Sequence, residues 1–106
     1  MSDIQNKIAE DVKKHKVLLF MKGTAQSPMC GFSKRVVDIF TELNVPFETR
    51  DVLSDPLIRD GVKEFTNWPT IPQIFINGEF VGGCDIVNDL YEQGELEELV
   101  NKTTGK

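Results

Sequence analysis

Two cysteines, Cys30 and Cys84, are the residues of this chain best suited to chemistry, because a thiolate is both a nucleophile and a metal ligand. Cys30 ends a loop that contains Pro28-Met29 and opens a segment with helical spacing. At a helix start the first backbone N–H groups lack partners and the helix dipole is positive, which favours ionised sulfur. Lys22, at the other end of the same loop, adds a positive charge within reach. The alternative for any free cysteine is a small buried hydrophobe. The local motif is Cys30-Gly31-Phe32-Ser33, with serine where a dithiol site carries its second cysteine. Serine cannot attack a disulfide, so a mixed disulfide on Cys30 has to be cleared by an outside thiol. Cys84 can take that part only if the fold brings it close.

Other residues are candidates for binding. Arg59 and Lys63 stand at i and i+4 on a predicted helix, a like-charge pair that slightly destabilises the helix in isolation. Two readings are open to them: solvated surface, or reception of an anion. Gly82-Gly83-Cys84-Asp85 opens another predicted helix, where Asp85 serves as an N-cap, as a ligand carboxylate, or as both. Trp68, the only tryptophan, is open to a core role, and His15, the only histidine, lies in a Lys-rich turn that faces solvent.

These residues need elements to hold them. Ile4, Ile8 and Val12 mark one face of a first helix, with Ser2 and Gln5 fitting a capping box. Lys16 to Met21 reads as a buried strand and Gly23 to Met29 as a loop. Phe32, Val36, Phe40 and Leu43 give the buried face of a second helix, ended by Asn44 and Pro46. Phe47 to Val52 is a weakly alternating strand. Asp55-Pro56 caps a third helix with Ile58, Val62 and Phe65 inside. Gln73 to Ile76 and Glu79 to Val81 form a hairpin around Asn77-Gly78. A helix with Ile86, Val87, Leu90 and Tyr91 inside follows, broken by Gly94, and a short last helix carries Leu96, Leu99 and Val100. The first two strands, joined through a helix, are expected to be parallel with a right-handed crossover. The whole is expected to be an α/β sandwich of the thioredoxin type: a four-stranded mixed sheet flanked by helices.

With 106 residues the chain supports one compact domain over 1–106, with 101–106 expected to be a loose tail. Its longest apolar run, Val17 to Met21, is too short to span a bilayer, and the net charge of −5 argues against a nucleic-acid surface. Two cysteines do not make a disulfide framework of the secreted kind. With no visible signal or transit peptide, the expected compartment is bacterial cytoplasm, or an organelle matrix after loss of a transit peptide.

The stretches Met21-Lys22-Gly23, Cys30-Gly31-Phe32-Ser33, Trp68-Pro69-Thr70-Ile71-Pro72-Gln73 and Gly82-Gly83-Cys84-Asp85, in this order, resemble the monothiol, Cys-Gly-Phe-Ser class of glutaredoxins over nearly the whole chain. The seven residues between Lys22 and Cys30 also resemble the monothiol class, whose loop is longer than that of dithiol glutaredoxins. The resemblance implies the glutaredoxin fold and a glutathione site. Lys22 and Arg59 would meet the glycine carboxylate, while Lys63, one turn on from Arg59, is open either to the same ligand or to solvent. Ile71, before a cis-proline, would pair its backbone with the cysteinyl part, although an ordinary trans-proline fits the pattern equally. Gly83 and Cys84 would hold the γ-glutamyl carboxylate through backbone N–H groups, and Asp85 the ammonium. Trp68-Pro69 would shape the rim of the site and the surface met by a second subunit.

The resemblance further implies a [2Fe–2S] cluster ligated by Cys30 of two chains and by two glutathione thiols. The apo-protein would be a monomer and the cluster form a homodimer, passing the cluster between assembly factors and apo iron–sulfur proteins. The alternative is an oxidoreductase that removes glutathione from protein mixed disulfides, with the same thiolate, the same cradle and weak activity.

Overall fold

The computed structural model describes residues 3–104, so the expected Ser2 cap lies outside the described residues. In chain order the elements are α1 (Asp3–Lys14), β1 (Val17–Met21), α2 (Gly31–Glu42), β2 (Glu48–Asp51), α3 (Pro56–Thr66), β3 (Gln73–Ile76), β4 (Glu79–Gly82), α4 (Cys84–Glu92) and α5 (Glu95–Thr104). The strands form one sheet in the order β2-β1-β3-β4. β1 and β2 are parallel, connected through α2, while β1–β3 and β3–β4 are antiparallel. The hairpin turns at Asn77 and Gly78, with φ of 54° and 83°, the positive values that a two-residue type I′ turn requires.

β1 is the centre of the molecule. Period-two alternation sends Val17, Leu19 and Met21 to one face of the sheet and Leu18 and Phe20 to the other. Both faces are covered, which is why the strand is apolar without interruption. On one face Val36, Ile39 and Phe40 of α2 meet Val87 of α4 and Leu96 and Val100 of α5. On the other, Ile8 and Val12 of α1 cluster with Val62 of α3 and Phe75 of β3.

Three expectations from spacing alone are corrected. Phe32, placed on the buried face of α2, is 62% exposed, and Ile86, placed inside α4, is 38% exposed. Both sit in the first turn of their helices, where the apolar stripe runs off the sheet and onto the rim of a pocket. The segment from Asn101, expected to be loose, is helical as far as Thr104, because α5 propagates beyond the buried Val100.

Candidate functional site

Cys30 is the N-cap of α2, brought there by a tightly folded loop. The N–H of Met29 donates to the Lys22 carbonyl (2.9 Å), and Thr24 and Ser27 exchange backbone hydrogen bonds. Gly23 makes this turn with φ of +87°; a Cβ there would lie 2.5 Å from the Ser27 carbonyl oxygen and 2.7 Å from Met29. Its N–H donates to Asp51 Oδ1 (2.9 Å), which also accepts from Leu53 N–H, so the carboxylate at the end of β2 holds both chain segments that leave the sheet here. The loop thus returns Cys30 to the side of Lys22.

Ser33 is fully buried, and its Oγ accepts a hydrogen bond from the Lys22 N–H (3.1 Å). That leaves its own proton for the sulfur. The Cys30 side chain makes no cap hydrogen bond in this structure, so the open N–H groups of the first turn are available to an ionised sulfur. The Cys30 thiol is accordingly held below the usual thiol range, by the Ser33 N–H first, then by the Phe32 N–H, the Lys22 charge and the Ser33 hydroxyl, against an opposing effect of partial burial. Cys84 is the reverse case. Burial pushes its thiol up, helped by the charges of Asp85 and Cys30, while Arg35 opposes the rise. Both thiols are free.

Beside Cys30 opens a pocket of about 830 Å3. Its wall contains all eight residues singled out from the sequence: Lys22, Cys30, Arg59, Lys63, Ile71, Gly83, Cys84 and Asp85. Asp55 caps α3 by accepting from the N–H groups of Leu57 and Ile58, and the helix so started carries Arg59 and Lys63 to the pocket. The Ile71-Pro72 bond is cis, which decides between the two readings of that turn. Gly83 is the N-cap of α4, so the open N–H groups of that helix start stand by the pocket with Asp85 in the first turn. Cations from the β1–α2 loop and α3 are thereby joined in one wall with a helix N-terminus and a carboxylate. Such a layout can bind a ligand that carries both carboxylate and ammonium groups next to a reactive sulfur.

Phe32, Leu53 and Ile86 add an apolar rim that spacing had not assigned to the site. Ser33 and Gln73 were also missed as site-building residues. For Ser33 a signal existed, since it stands three positions after the N-cap, where a capping partner is normally found. Trp68 lines the pocket as well; its ring meets Phe80 edge-on at 5.5 Å, and its Nε1–H is buried without a hydrogen-bond partner among the described residues. His15, expected to face solvent, is partly buried beside Asp11 and Arg50 and far from the pocket in its contacts. Among the described residues no helix is long and apolar enough to cross a membrane.

Residues 17–81 match the family model described as Glutaredoxin. The chain is 56% identical over 94 residues to a monothiol glutaredoxin of Synechocystis sp., covering 89% of this chain and 88% of that one. The chain belongs to the monothiol glutaredoxins. This monothiol glutaredoxin is also 57% identical over 91 residues to monothiol glutaredoxin-S7, chloroplastic, of Oryza sativa, of whose length it spans 54%. In three dimensions it matches the solution structure of reduced poplar apo GrxS14 with a TM-score of 0.84 and 48% identity, over 97% of this chain and 94% of that one. The expected fold is therefore the observed one.

Proposed function

We propose that this monothiol glutaredoxin binds glutathione beside Cys30 and uses the joined thiols to hold and pass on a [2Fe–2S] cluster as cargo. The observation that carries the reading is one activated thiol set in a wall with cations on one side and a helix N-terminus with Asp85 on the other. Glutathione has two carboxylates and one ammonium, and that charge pattern is the complement of the wall. Lys22, Arg59 and Lys63 would meet the glycine carboxylate. The Ile71 backbone would meet the cysteinyl unit, and Gly83, Cys84 and Asp85 the γ-glutamyl end. The donor set fits such a cargo only when shared. A [2Fe–2S] cluster takes four ligands, commonly thiolates, whereas this chain has two cysteines, and Cys84 is held in its neutral form. Two copies of Cys30 and two glutathione thiols complete the set, which makes the cluster form a homodimer. Apo iron–sulfur proteins and assembly factors would be its partners. The proposed compartment is a reducing one, bacterial or organellar, in keeping with the cyanobacterial and chloroplast relatives.

The same thiolate can also attack the glutathione sulfur of a protein mixed disulfide. The protein thiolate then leaves, and a second glutathione thiolate attacks the Cys30 disulfide and releases oxidised glutathione. Anaerobic reconstitution with iron and sulfide, with and without glutathione, followed by visible absorption and size exclusion, separates the two readings. A sulfur-to-iron charge-transfer spectrum that needs glutathione and travels with a dimer is the expected result. It should be lost in Cys30→Ser and kept in Cys84→Ser. A colourless monomer that reduces a glutathione mixed disulfide would put the oxidoreductase first.

A further inference from the structure

Gln73 is fully buried at the start of β3, and every polar atom of its side chain is used. Its Nε2 donates to the carbonyls of Trp68 (2.8 Å) and Thr70 (3.1 Å), which occupies both amide protons. Its Oε1 accepts from Thr66 Oγ1 (2.8 Å), the last residue of α3. One side chain therefore joins the end of α3, two carbonyls of the connecting loop and the first residue of β3. That loop supplies Trp68, Thr70 and Ile71 to the pocket wall. Among the described residues the Trp68 indole N–H has no partner of its own, so its ring is held by edge contact with Phe80 and by the carbonyl that Gln73 grips. Removing the amide would leave two carbonyls without their buried donor, a loss the loop can relieve only by moving toward water.

We propose that Gln73 is a positioning residue for the pocket: its three hydrogen bonds fix the Trp68–Ile71 wall at the distance from Cys30 that ligand binding requires. This rests on the reading of the pocket as a glutathione site. Gln73 is not among the groups that ionise Cys30, which are the N–H groups of Ser33 and Phe32, Lys22 and the Ser33 hydroxyl. Loss of the clamp should therefore change binding without changing the thiol.

The test compares wild type, Gln73→Met, which keeps the bulk and removes the bonds, and Thr66→Val, which removes one bond of Gln73 together with the Thr66 Oγ1 contact to the Val62 carbonyl (3.0 Å). Three quantities are read: glutathione affinity by calorimetry, quenching of the single tryptophan by acrylamide in the free protein, and the pH profile of Cys30 alkylation. Affinity is expected to fall about tenfold in Gln73→Met and about threefold in Thr66→Val. Quenching should rise in the same order, and the alkylation profile should stay where it is. Unchanged affinity and quenching in a folded Gln73→Met would overturn the proposal, as would an alkylation profile that shifts in step with affinity. If Gln73→Met does not fold, Thr66→Val decides by the same criteria. If wild type itself binds no glutathione, the glutathione reading falls, and the quenching order alone upholds or rejects the clamp.

Discussion

At Cys30 most of the stabilisation of the thiolate comes from backbone groups, with Lys22 and the Ser33 hydroxyl contributing less than the Ser33 N–H. A serine in the fourth motif position is thus a structural link, accepting from Lys22 N–H while facing the sulfur, as well as a missing second thiol. The expected consequence is a graded one. Lys22→Met and Ser33→Ala each raise the pH at which Cys30 becomes reactive, Lys22→Met the more, because both main-chain donors survive in either variant. Alkylation by iodoacetamide against pH, followed residue by residue by mass spectrometry, checks the order. In wild type Cys30 should react at lower pH than Cys84, whose thiol is held up by burial. At the ligand end, Arg59→Glu should weaken glutathione binding about three- to tenfold, a modest loss because Arg59 is partly exposed and already shared with Asp60. An affinity unchanged in calorimetry would remove Arg59 from the site.

At the scale of elements, the pocket is built where helices start. α2 offers Cys30, α4 offers Gly83 to Asp85, and the capped α3 offers Arg59 and Lys63. Helix starts and the loops before them carry open N–H groups, which suits a site that must hold anions and a thiolate. The Asp55 cap is therefore worth testing apart from the ligand. Asp55→Ala is expected to cost about 1 kcal/mol, lowering the melting temperature by roughly 4–8 °C in a protein of this size. Thermal unfolding by circular dichroism measures it, and the pH profile of Cys30 should not move. The element boundaries themselves were legible, because Asp55-Pro56 starts a helix and Asn77-Gly78 turns a hairpin. What spacing misjudged was the first turn of α2 and of α4. A helical stripe records which residues share a face, and it does not record where the neighbouring sheet ends.

For the molecule as a whole, an aromatic row runs from the core to the site: Phe20 meets Phe75 at 5.7 Å, Phe75 meets Phe80 at 5.5 Å, and Phe80 meets Trp68 at 5.5 Å. Phe75, 2% exposed, is at its middle. Phe75→Ala should destabilise by about 3–5 kcal/mol, a large share of the roughly 5–15 kcal/mol that holds a domain together. Phe32→Ala, at an exposed position, should stay within about 0.5 kcal/mol of wild type. Urea titrations followed by Trp68 emission measure both, and a comparable loss in the two variants would contradict the placement of Phe32 on the pocket rim.

Period-two and period-3.6 patterns, cap residues and four short motifs determined the order of elements, the thioredoxin-type sheet, the reactive cysteine and the monothiol class, since each of these is written in neighbouring residues. Tertiary structure alone decided that Lys22, Arg59, Lys63, Ile71 and Asp85 share one wall with Cys30, that the Ile71-Pro72 bond is cis, and that Phe32 and Ile86 face the pocket. It also decided that the polar Ser33 and Gln73 are buried. A polar side chain enters a core only when its hydrogen-bond partners are waiting there, and those partners come from other elements: Lys22 for Ser33, and Thr66, Trp68 and Thr70 for Gln73.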